Sequence, residues 1–153
     1  MCEYRICPYV PEMLGDVTRF ERESFSCPWS SESFEQADAM ENSIFLTVCA
    51  GETPVGFGCI LLAAGEGELV DIAVSPAHRQ KGLGQLLMTA LLAEARKQET
   101  EILYLEVRQS NTAARSLYEK NGLEAMGVRK KYYKNPVEDA VLMRCVLTPE
   151  ETI

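Results

Sequence analysis

The chain has 153 residues, of which 46% are apolar, and this length and composition predict one globular domain covering residues 1–153. Its formal net charge is −8. Because phosphate-backbone binding favours a basic surface, we expect no direct nucleic-acid partner and instead a cationic amine or a basic peptide. No apolar run approaches the roughly 18 residues of a membrane span, and residues 1–5 lack the basic and apolar regions of a signal peptide. We therefore expect no membrane partner and a cytoplasmic location.

The six cysteines include no C-x-x-C pair, and several of them lie within apolar runs. This pattern favours buried free thiols in a reducing compartment over disulfides. The chain has one histidine, His78, and no cluster of Cys and His ligands, so no metal site is predicted. Cys27 is expected to be the most exposed thiol, and loop packing explains it better than a catalytic role.

Hydrophobic periodicity and turn residues predict helices and strands along the whole chain. Strands are predicted over residues 3–7, 44–49, 55–63, 68–74, 102–107, 125–133 and 140–147. Helices are predicted over residues 11–25, from the capping residues Ser30 and Ser31, over 82–98 and over 111–120. This order predicts an α+β fold with one mixed sheet of about seven strands and helices on both faces. Residues 68–107 should form a parallel strand pair, whereas hairpins make the early and late strands antiparallel.

The longest helix, over residues 82–98, opens with the run Arg79-Gln80-Lys81-Gly82-Leu83-Gly84 directly after a buried strand. Its buried face is predicted to carry Leu83, Leu86, Leu87, Ala90 and Leu91. Glycines at a helix start let the backbone approach a ligand closely, and the first N–H groups of a helix favour an anion. A diphosphate would fit there, with Arg79 and Lys81 adding positive charge at the rim. The alternative is a glycine-rich turn that packs tightly against a strand, since the run is neither a Walker A loop nor a three-glycine dinucleotide fingerprint.

Three further blocks of sequence, together with this motif, resemble a known protein family. They are Leu105-Glu106-Val107-Arg108-Gln109-Ser110-Asn111 with Leu117-Tyr118-Glu119-Lys120-Asn121-Gly122, then Arg129-Lys130-Lys131-Tyr132-Tyr133, and the early Cys27-Pro28-Trp29-Ser30. With Arg79-x-x-Gly82-x-Gly84 they resemble the GNAT acetyltransferases over nearly the whole chain, and within that superfamily the RimI-type enzymes. The resemblance implies acetyl-coenzyme A as co-substrate and the N-terminal alanine of a small-subunit ribosomal protein as acceptor. Leu123 departs from the aromatic residue usual after Asn-Gly, which should affect packing more than chemistry.

Glu106 is the predicted general base. Period-two alternation places Ile102, Tyr104 and Glu106 on one face of an otherwise apolar strand. Burial of a carboxylate at the end of a strand costs free energy unless neighbouring groups donate hydrogen bonds to it. A carboxylate can also deprotonate an amine, as a general base does. The residues alone leave a solvated strand-end glutamate equally open, and the resemblance favours the catalytic role. Asp71 is the competing base, although a structural carboxylate bonded to nearby backbone explains it better.

Tyr118 is the predicted acid that protonates the departing thiolate. Asn111, Ala114 and Tyr118 follow helical spacing and share one face, although a tyrosine packing beside Leu117 is the alternative. The resemblance carries the acid role to Tyr118 and cofactor contact to Asn111. It implies further cofactor contacts at Ile72, Ala73, Val74, Arg79, Gln80, Lys81, Gly82, Leu83, Gly84 and Gln85. The backbone N–H of Val74 or of Ala73 is the expected oxyanion donor.

Direct transfer in a ternary complex requires no nucleophilic cysteine, and the α-amine of a protein N-terminus is the favoured acceptor. An α-amine suits a single carboxylate base because its pKa of about 7.7–8.0 lies well below the roughly 10.4 of lysine. The alternatives are other protein N-termini, lysine side chains or a small polyamine, with residues 129–133 bordering the acceptor groove. A non-enzymatic alternative is a coenzyme A-binding module without catalytic activity. The presence of both Glu106 and Tyr118 argues against this alternative. Trp29 and Tyr132 are expected to wall the acceptor entrance.

Overall fold

A computed structural model describes residues 3–147, so the predicted free thiol of Cys2 lies outside the described residues. Within that range the strands are β1 (Tyr4–Pro8), β2 (Ser43–Ala50), β3 (Thr53–Ala63), β4 (Glu66–Val74), β5 (Ile102–Arg108), β6 (Glu124–Tyr133) and β7 (Glu138–Val146). The α-helices are α1 (Leu14–Ser24), α2 (Ser31–Ala39), α3 (Leu83–Lys97) and α4 (Thr112–Lys120). Short 3-10 turns occupy Pro11–Met13 and Pro76–His78. Each predicted helix and strand is confirmed, with its ends shifted by a few residues.

The strands form one mixed sheet with the order β1-β2-β3-β4-β5-β7-β6. Neighbours from β1 to β4 are antiparallel. β4 and β5 are parallel because the chain returns between them through α3. β7 then inserts between β5 and β6, antiparallel to both. The predicted α+β fold with a mixed seven-stranded sheet is therefore confirmed.

Helices cover both faces of the sheet, as predicted. On one face, α3 and α4 pack over the inward side chains of β5, namely Leu103, Leu105 and Val107. On the other face, α1 and α2 pack over an aromatic cluster in which Phe34 meets Phe57 edge-on at 5.4 Å between ring centroids. The main contacts of α1 and α2 are with β2, β3 and β4. Among the described residues, helices therefore leave this face of β5, β7 and β6 largely open.

The α3 helix buries a broader face than the sequence predicts. Its buried residues are Leu83, Leu87, Met88, Leu91, Leu92 and Ala95. Leu86 was predicted on this face but is 39% exposed, because the face extends around the helix towards Met88 and Ala95, away from Leu86. No helix within residues 3–147 is long and apolar enough to cross a membrane.

β4 and β5 pair over a short stretch and then separate. Their register begins with Glu66 opposite Ile102 and ends with Glu68 opposite Tyr104. A register shift in the β3–β4 ladder follows at once, and a bulge of this kind bends a strand. Beyond it, the second halves of β4 and β5 border a gap in the sheet that opens towards their carboxyl ends.

The five cysteines among the described residues are free thiols. Cys49, Cys59 and Cys145 are buried, and Cys27 is exposed, in agreement with the burial expected from the sequence. Burial raises the pKa of Cys59 to about 12, so this thiol stays protonated and unreactive at neutral pH.

Candidate active site

A cavity of about 750 Å³ occupies the gap between β4 and β5. Its walls come from β4, β5, α4, the start of α3, the loop between α1 and α2, and the end of β6. Eight of the residues predicted to contact substrates line it: Ile72, Ala73, Val74, Arg79, Gly84, Glu106, Asn111 and Tyr118. The other five are not among its lining residues: Gln80, Lys81, Gly82, Leu83 and Gln85. The structure thus brings both predicted catalytic residues to one cavity.

Two glycines shape the turn before α3 for different reasons. Gly82 has a left-handed φ of +76° at the N-cap of α3, and a Cβ there would meet open space. A side chain at Gly82 would therefore strain the backbone without a clash. A Cβ on Gly84 would lie 3.2 Å from Leu117 Cδ2, so this glycine lets α3 approach α4. Tight packing thus explains Gly84 in part, while the start of α3 keeps the features of an anion site.

The remaining residues of this turn differ in what they can offer a cofactor. Gln80 and Lys81 are exposed. Leu83 is 3% exposed and packs in the core, so its backbone is the part able to face a ligand. The Gln85 side chain exchanges hydrogen bonds with the Asn121 amide at 2.9 and 3.0 Å, which ties the first turn of α3 to the end of α4. The side chains of Leu83 and Gln85 are therefore engaged within the protein.

The backbone of Val74 faces the gap. The Ser75 N–H donates to the Val55 carbonyl oxygen of β3 at 2.7 Å. Because backbone groups alternate sides along a strand, the N–H and C=O of Val74 point away from β3, towards the gap. Arg79 Nε donates to that Val74 carbonyl oxygen at 3.1 Å. Of the two predicted oxyanion donors, Val74 is the one directed into the gap, whereas Ala73 faces β3.

Glu106 lies on the face of β5 that the helices leave open. Buried and half-buried residues alternate along β5, which confirms the predicted period-two pattern. The Glu106 carboxylate, with its side chain 21% exposed, forms an ion pair with Arg129 Nε at 3.5 Å. A hydrogen bond with Glu106 raises the pKa of the Tyr132 phenol. Two side chains of β6 therefore hold the carboxylate at the cavity wall.

Tyr118 reaches the same cavity from α4 and is 7% exposed. Burial raises the pKa of its phenol well above the ordinary value, and the charge of Asp71 raises it further. The phenol therefore keeps its proton at neutral pH, which is the state that a general acid requires. Asn111 caps α4, since its Oδ1 accepts a hydrogen bond from the Ala114 N–H at 3.2 Å.

A pair of carboxyl groups from α1 and β4 also lines this cavity. Glu21 is 1% exposed, and its Oε2 accepts a hydrogen bond from the backbone N–H of Trp29 at 2.9 Å. Burial, with a hydrogen bond to Glu21 and its charge, raises the pKa of Asp71 to about 10. Asp71 is therefore protonated at neutral pH. The backbone partner expected for Asp71 is replaced by the Glu21 carboxyl group.

Glu21 is a site residue that the sequence reading did not identify. It lies on the buried face of α1 together with Val17 and Phe20. Spacings of three and four residues place these side chains on one helical face, so the position was visible in the sequence as a glutamate on an apolar stripe. Its partner on β4 was not visible there.

Arg108 closes one end of the site by joining two loops. Its Nη2 donates to Ser26 Oγ in the α1–α2 loop at 2.9 Å and to the Lys134 carbonyl oxygen in the β6–β7 turn at 2.8 Å. Its Nη1 lies 3.2 Å from Glu138 Oε1, and its guanidinium stacks over the Tyr133 ring at 4.6 Å from the centroid. The α1–α2 loop and the β6–β7 turn are therefore held together across the end of β5.

A second cavity of about 510 Å³ continues from Glu106 along the open face of the sheet, and we call it the open trough. Glu68 and Glu106 line both cavities. The other walls of the trough are mostly apolar and include Met40, Leu61, Leu62, Leu105, Met126, Leu142 and Met143. Glu106 therefore lies where the two cavities meet. Within residues 3–147, no group of three or more His, Cys, Asp or Glu side chains is arranged to hold a metal ion.

Known proteins share this architecture. The acetyltransferase (GNAT) family model matches residues 14–123. The ribosomal protein bS18-alanine N-acetyltransferase of Haemophilus influenzae is 33% identical over 130 residues, which cover 83% of this chain and 88% of the relative. The N-alpha-acetyltransferase RimI of Mycobacterium tuberculosis is 34% identical over 121 residues, which cover 76% and 75%. The crystal structure of the ribosomal-protein-S18-alanine N-acetyltransferase from Escherichia coli matches with a TM-score of 0.88 and 28% identity over 99% of both chains.

The family match includes the glycine-rich turn, Glu106 and Tyr118. It confirms the resemblance found in the sequence and the expected activity, which is acetyl-coenzyme A-dependent N-acetyl transfer. With its strand gap, its glycine-rich helix start and these relatives, the chain belongs to the GNAT family of acetyltransferases.

Proposed function

We propose that this protein acetylates the N-terminal alanine of a small-subunit ribosomal protein, with acetyl-coenzyme A as donor. One observation carries the catalytic part: Glu106 and Tyr118, a group able to take a proton and a group able to give one, line the same cavity in the sheet. The names of relatives in two organisms, which refer to alanine acetylation of ribosomal protein bS18, support the acceptor. We also propose that residues 1–153 form one catalytic domain that works in the cytoplasm.

The gap between β4 and β5 fits the donor along its length. We assign the diphosphate to the turn of residues 80–85, where Gly82 provides the left-handed backbone and α3 begins. We assign the pantetheine arm to the gap, between the backbone of residues 72–74 and Asn111 of α4. The Val74 N–H is then placed to donate to the thioester oxygen, where negative charge develops during transfer. A donor oriented by backbone groups in this way requires no metal ion.

Glu106 accepts a proton from the α-amine of the acceptor. The amine nitrogen then bonds to the acetyl carbon, the carbon–sulfur bond breaks, and Tyr118 donates its proton to the sulfur. The second proton of the amine nitrogen passes to the Tyr118 phenolate and Glu106 releases the first one to solvent, so an N-terminal amide and a free thiol form and both side chains are restored. Removal of the proton is a modest task, because an α-amine has a pKa of about 7.7–8.0.

A polypeptide acceptor fits the open side of the site better than a small polyamine. Trp29 and Tyr132 line the main cavity, and the open trough extends from Glu106 with an apolar wall. Its volume of about 510 Å³ would accommodate residues that follow the first one of a peptide, and a small amine would leave it unfilled. The net charge of −8 also steers a cationic N-terminus towards the protein.

Mass spectrometry on a peptide that begins Ala-Arg and carries internal lysines tests this proposal. With acetyl-coenzyme A, the acetyl group should appear on the α-amine, and an N-terminally blocked copy of the peptide should remain unmodified. Modification of the lysines with a free α-amine would overturn the acceptor and leave the acetyltransferase assignment. Tight binding of acetyl-coenzyme A without transfer to any amine would instead indicate a non-catalytic binding module.

A further inference from the structure

The pair of the buried Glu21 and the half-buried Asp71 has no role in proton transfer by Glu106 and Tyr118, although it lines the same cavity. Glu21 is 1% exposed, and glutamate is almost never fully buried unless it is paired. A leucine or methionine at this position of α1 would pack against the sheet without the cost of desolvating a carboxylate. The position therefore holds a charged group at a cost in stability, which suggests that the carboxylate serves binding.

The hydrogen bonds around the pair place its negative charge on Glu21. Burial raises the pKa of both carboxyl groups, but their mutual hydrogen bond raises that of Asp71 and lowers that of Glu21. The Trp29 N–H at Oε2 lowers the pKa of Glu21 further. The second oxygen of Glu21, Oε1, is buried and accepts no N–H from the described residues. These hydrogen bonds therefore favour the shared proton on Asp71 and the negative charge of the pair on Glu21.

Neither carboxyl group of the pair forms an ion pair among the described residues. Within residues 3–147, the ion pairs of Arg, Lys and His leave out both Glu21 and Asp71. The titratable groups that sense Asp71 are Cys59 of β3, Tyr118 of α4 and Tyr133 of β6. Burial raises the pKa of each, so all three are neutral at pH 7. Glu68, Glu106, Arg79 and Arg108 also line the cavity, but the groups that sense Asp71 are neutral, so a carboxylate at Glu21 has a desolvated surrounding in which a cation would be bound strongly.

We propose that the Glu21–Asp71 pair is the binding site for the α-ammonium group of the acceptor. This inference rests on the proposed function, and it adds a site for substrate recognition to the residues that transfer protons. The charges of Glu106 and of Asp71 both raise the pKa of the Tyr133 phenol, so the base and the pair lie within electrostatic reach of one group. Glu21, Asp71 and Glu106 line the same cavity, so an ammonium group held by the pair shares that cavity with the carboxylate that takes its proton. The Trp29 backbone, bonded to Glu21, connects this site to the α1–α2 loop.

Two peptides that differ in a single group test the proposal. One is a hexapeptide that begins with alanine, and the other is the same peptide with a propionyl group in place of that alanine, so that it lacks the amine. Their affinities are measured by calorimetry in the presence of coenzyme A, which has no acetyl group to transfer. The wild-type protein should bind the amine peptide at least about tenfold more tightly, as expected for a hydrogen bond to a charged group.

Glu21→Gln should bring this affinity ratio close to one and leave the affinity for the propionyl peptide unchanged. Glutamine still accepts the Trp29 N–H, so a merely structural role of Glu21 would survive the change. Asp71→Asn should keep most of the ratio, because an asparagine amide can replace the donor while Glu21 keeps its charge. Glu23→Gln is the matched control, since Glu23 lies on the same helix with its side chain 41% exposed, and it should not change the ratio.

Equal weakening of both peptides by Glu21→Gln would overturn the proposal, as would a ratio equal to that of the wild type. Trp29 is the sole tryptophan of the chain, so its fluorescence gives a second measurement on the unaltered protein should the variant fail to fold. The amine peptide should change the emission of Trp29 more than the propionyl peptide does, and identical changes would contradict an ammonium site. Both readouts are made without turnover. A failure of N-terminal acetylation in mass spectrometry is therefore a separate result, which concerns the proposed function.

Discussion

Replacement of Glu106 by glutamine should separate base catalysis from binding and folding. Glutamine keeps the size of the side chain and still accepts a hydrogen bond from Tyr132, but it cannot take a proton or form an ion pair with Arg129. Because the Arg129 side chain is 59% exposed, loss of this ion pair costs at most about 1 kcal/mol, and the variant should fold. Loss of a general base lowers the rate by about 10²–10⁴-fold, which corresponds to roughly 2.7–5.5 kcal/mol in the barrier.

The assay for this variant follows thiol release at saturating peptide, and calorimetry gives the affinity for acetyl-coenzyme A. We expect kcat to fall by the factor above while the Kd of acetyl-coenzyme A stays close to that of the wild type. Arg129→Gln is the control, because it removes the same ion pair but leaves the carboxylate, and it should lose far less turnover. Near wild-type kcat in Glu106→Gln would refute the base assignment. If Asp71→Asn were inactive instead, Asp71 would be the base, contrary to its protonated state.

Tyr118→Phe should lower kcat and preserve cofactor affinity, because phenylalanine fills the buried position without a proton to give, and unchanged single-turnover rates would exclude the acid role. Gly82→Val should weaken acetyl-coenzyme A binding in calorimetry, whereas Gly51→Val, whose φ of +63° in the β2–β3 turn is close to the +76° of Gly82, should lose similar stability and keep the affinity. Met126→Lys should raise the KM of an octapeptide more than that of a tripeptide, and equal effects would show that the acceptor does not occupy the open trough. Burial raises the pKa of Asp71 from 3.8 to about 10, so its proton stabilises the fold fully below the lower value and this contribution is lost as pH rises towards the upper one. The free energy of unfolding of the wild type should therefore fall between about pH 5 and 8 by up to about 1.4 kcal/mol per pH unit more than that of Asp71→Asn, as measured in denaturant titrations. Equal pH dependence of the two proteins would contradict a shared proton.

Local signals in the sequence were sufficient to predict the helices and strands. Helix and strand periodicity reflects burial against a single sheet, so elements could be predicted one at a time. The predicted cap of α2 is confirmed, since Ser30 accepts a hydrogen bond from the Ser33 N–H, and the structure adds an unpredicted cap at Asn111, which accepts one from the Ala114 N–H. The position of Leu86 was misjudged because contacts with both the sheet and α4 turn the buried face of α3 towards Met88 and Ala95, away from Leu86.

The position of the last hairpin depends on which of its strands meets β5. The sequence reading predicted both strands and left their order undecided. In the structure, β7 carries buried residues and lies inside, while β6 is exposed along nearly its whole length and forms the edge. Lys130 and Lys131 are suited to that edge, because charged side chains discourage further strand pairing. This part of the fold could have been inferred from charge rather than from periodicity.

The Glu21–Asp71 pair could not be predicted, because it depends on contacts between distant segments. Alternation along β4 should tell which residues face α1, but the register shift between Cys59 and Ile60 changes the alternation just before Asp71. Bulges leave little trace in a sequence, so the face that Asp71 presents was hidden. Of this pair, the sequence could indicate only Glu21, as a glutamate on the apolar face of α1.

The distribution of charge around the gap explains why the two substrates can meet there without a covalent enzyme intermediate. The carboxyl side chains of the main cavity belong to Glu21, Glu68, Asp71 and Glu106. Its two arginines are committed elsewhere, Arg79 to the Val74 carbonyl oxygen and Ser24, and Arg108 to Glu138 and the loops. The open side is therefore suited to a cationic amine, whereas the start of α3 is suited to an anionic diphosphate. In the proposed mechanism, opposite charges direct the acceptor and the donor to different parts of the gap, and their reacting ends meet between Glu106 and Tyr118. Such a ternary arrangement requires no nucleophilic thiol, which agrees with the raised pKa of buried Cys59.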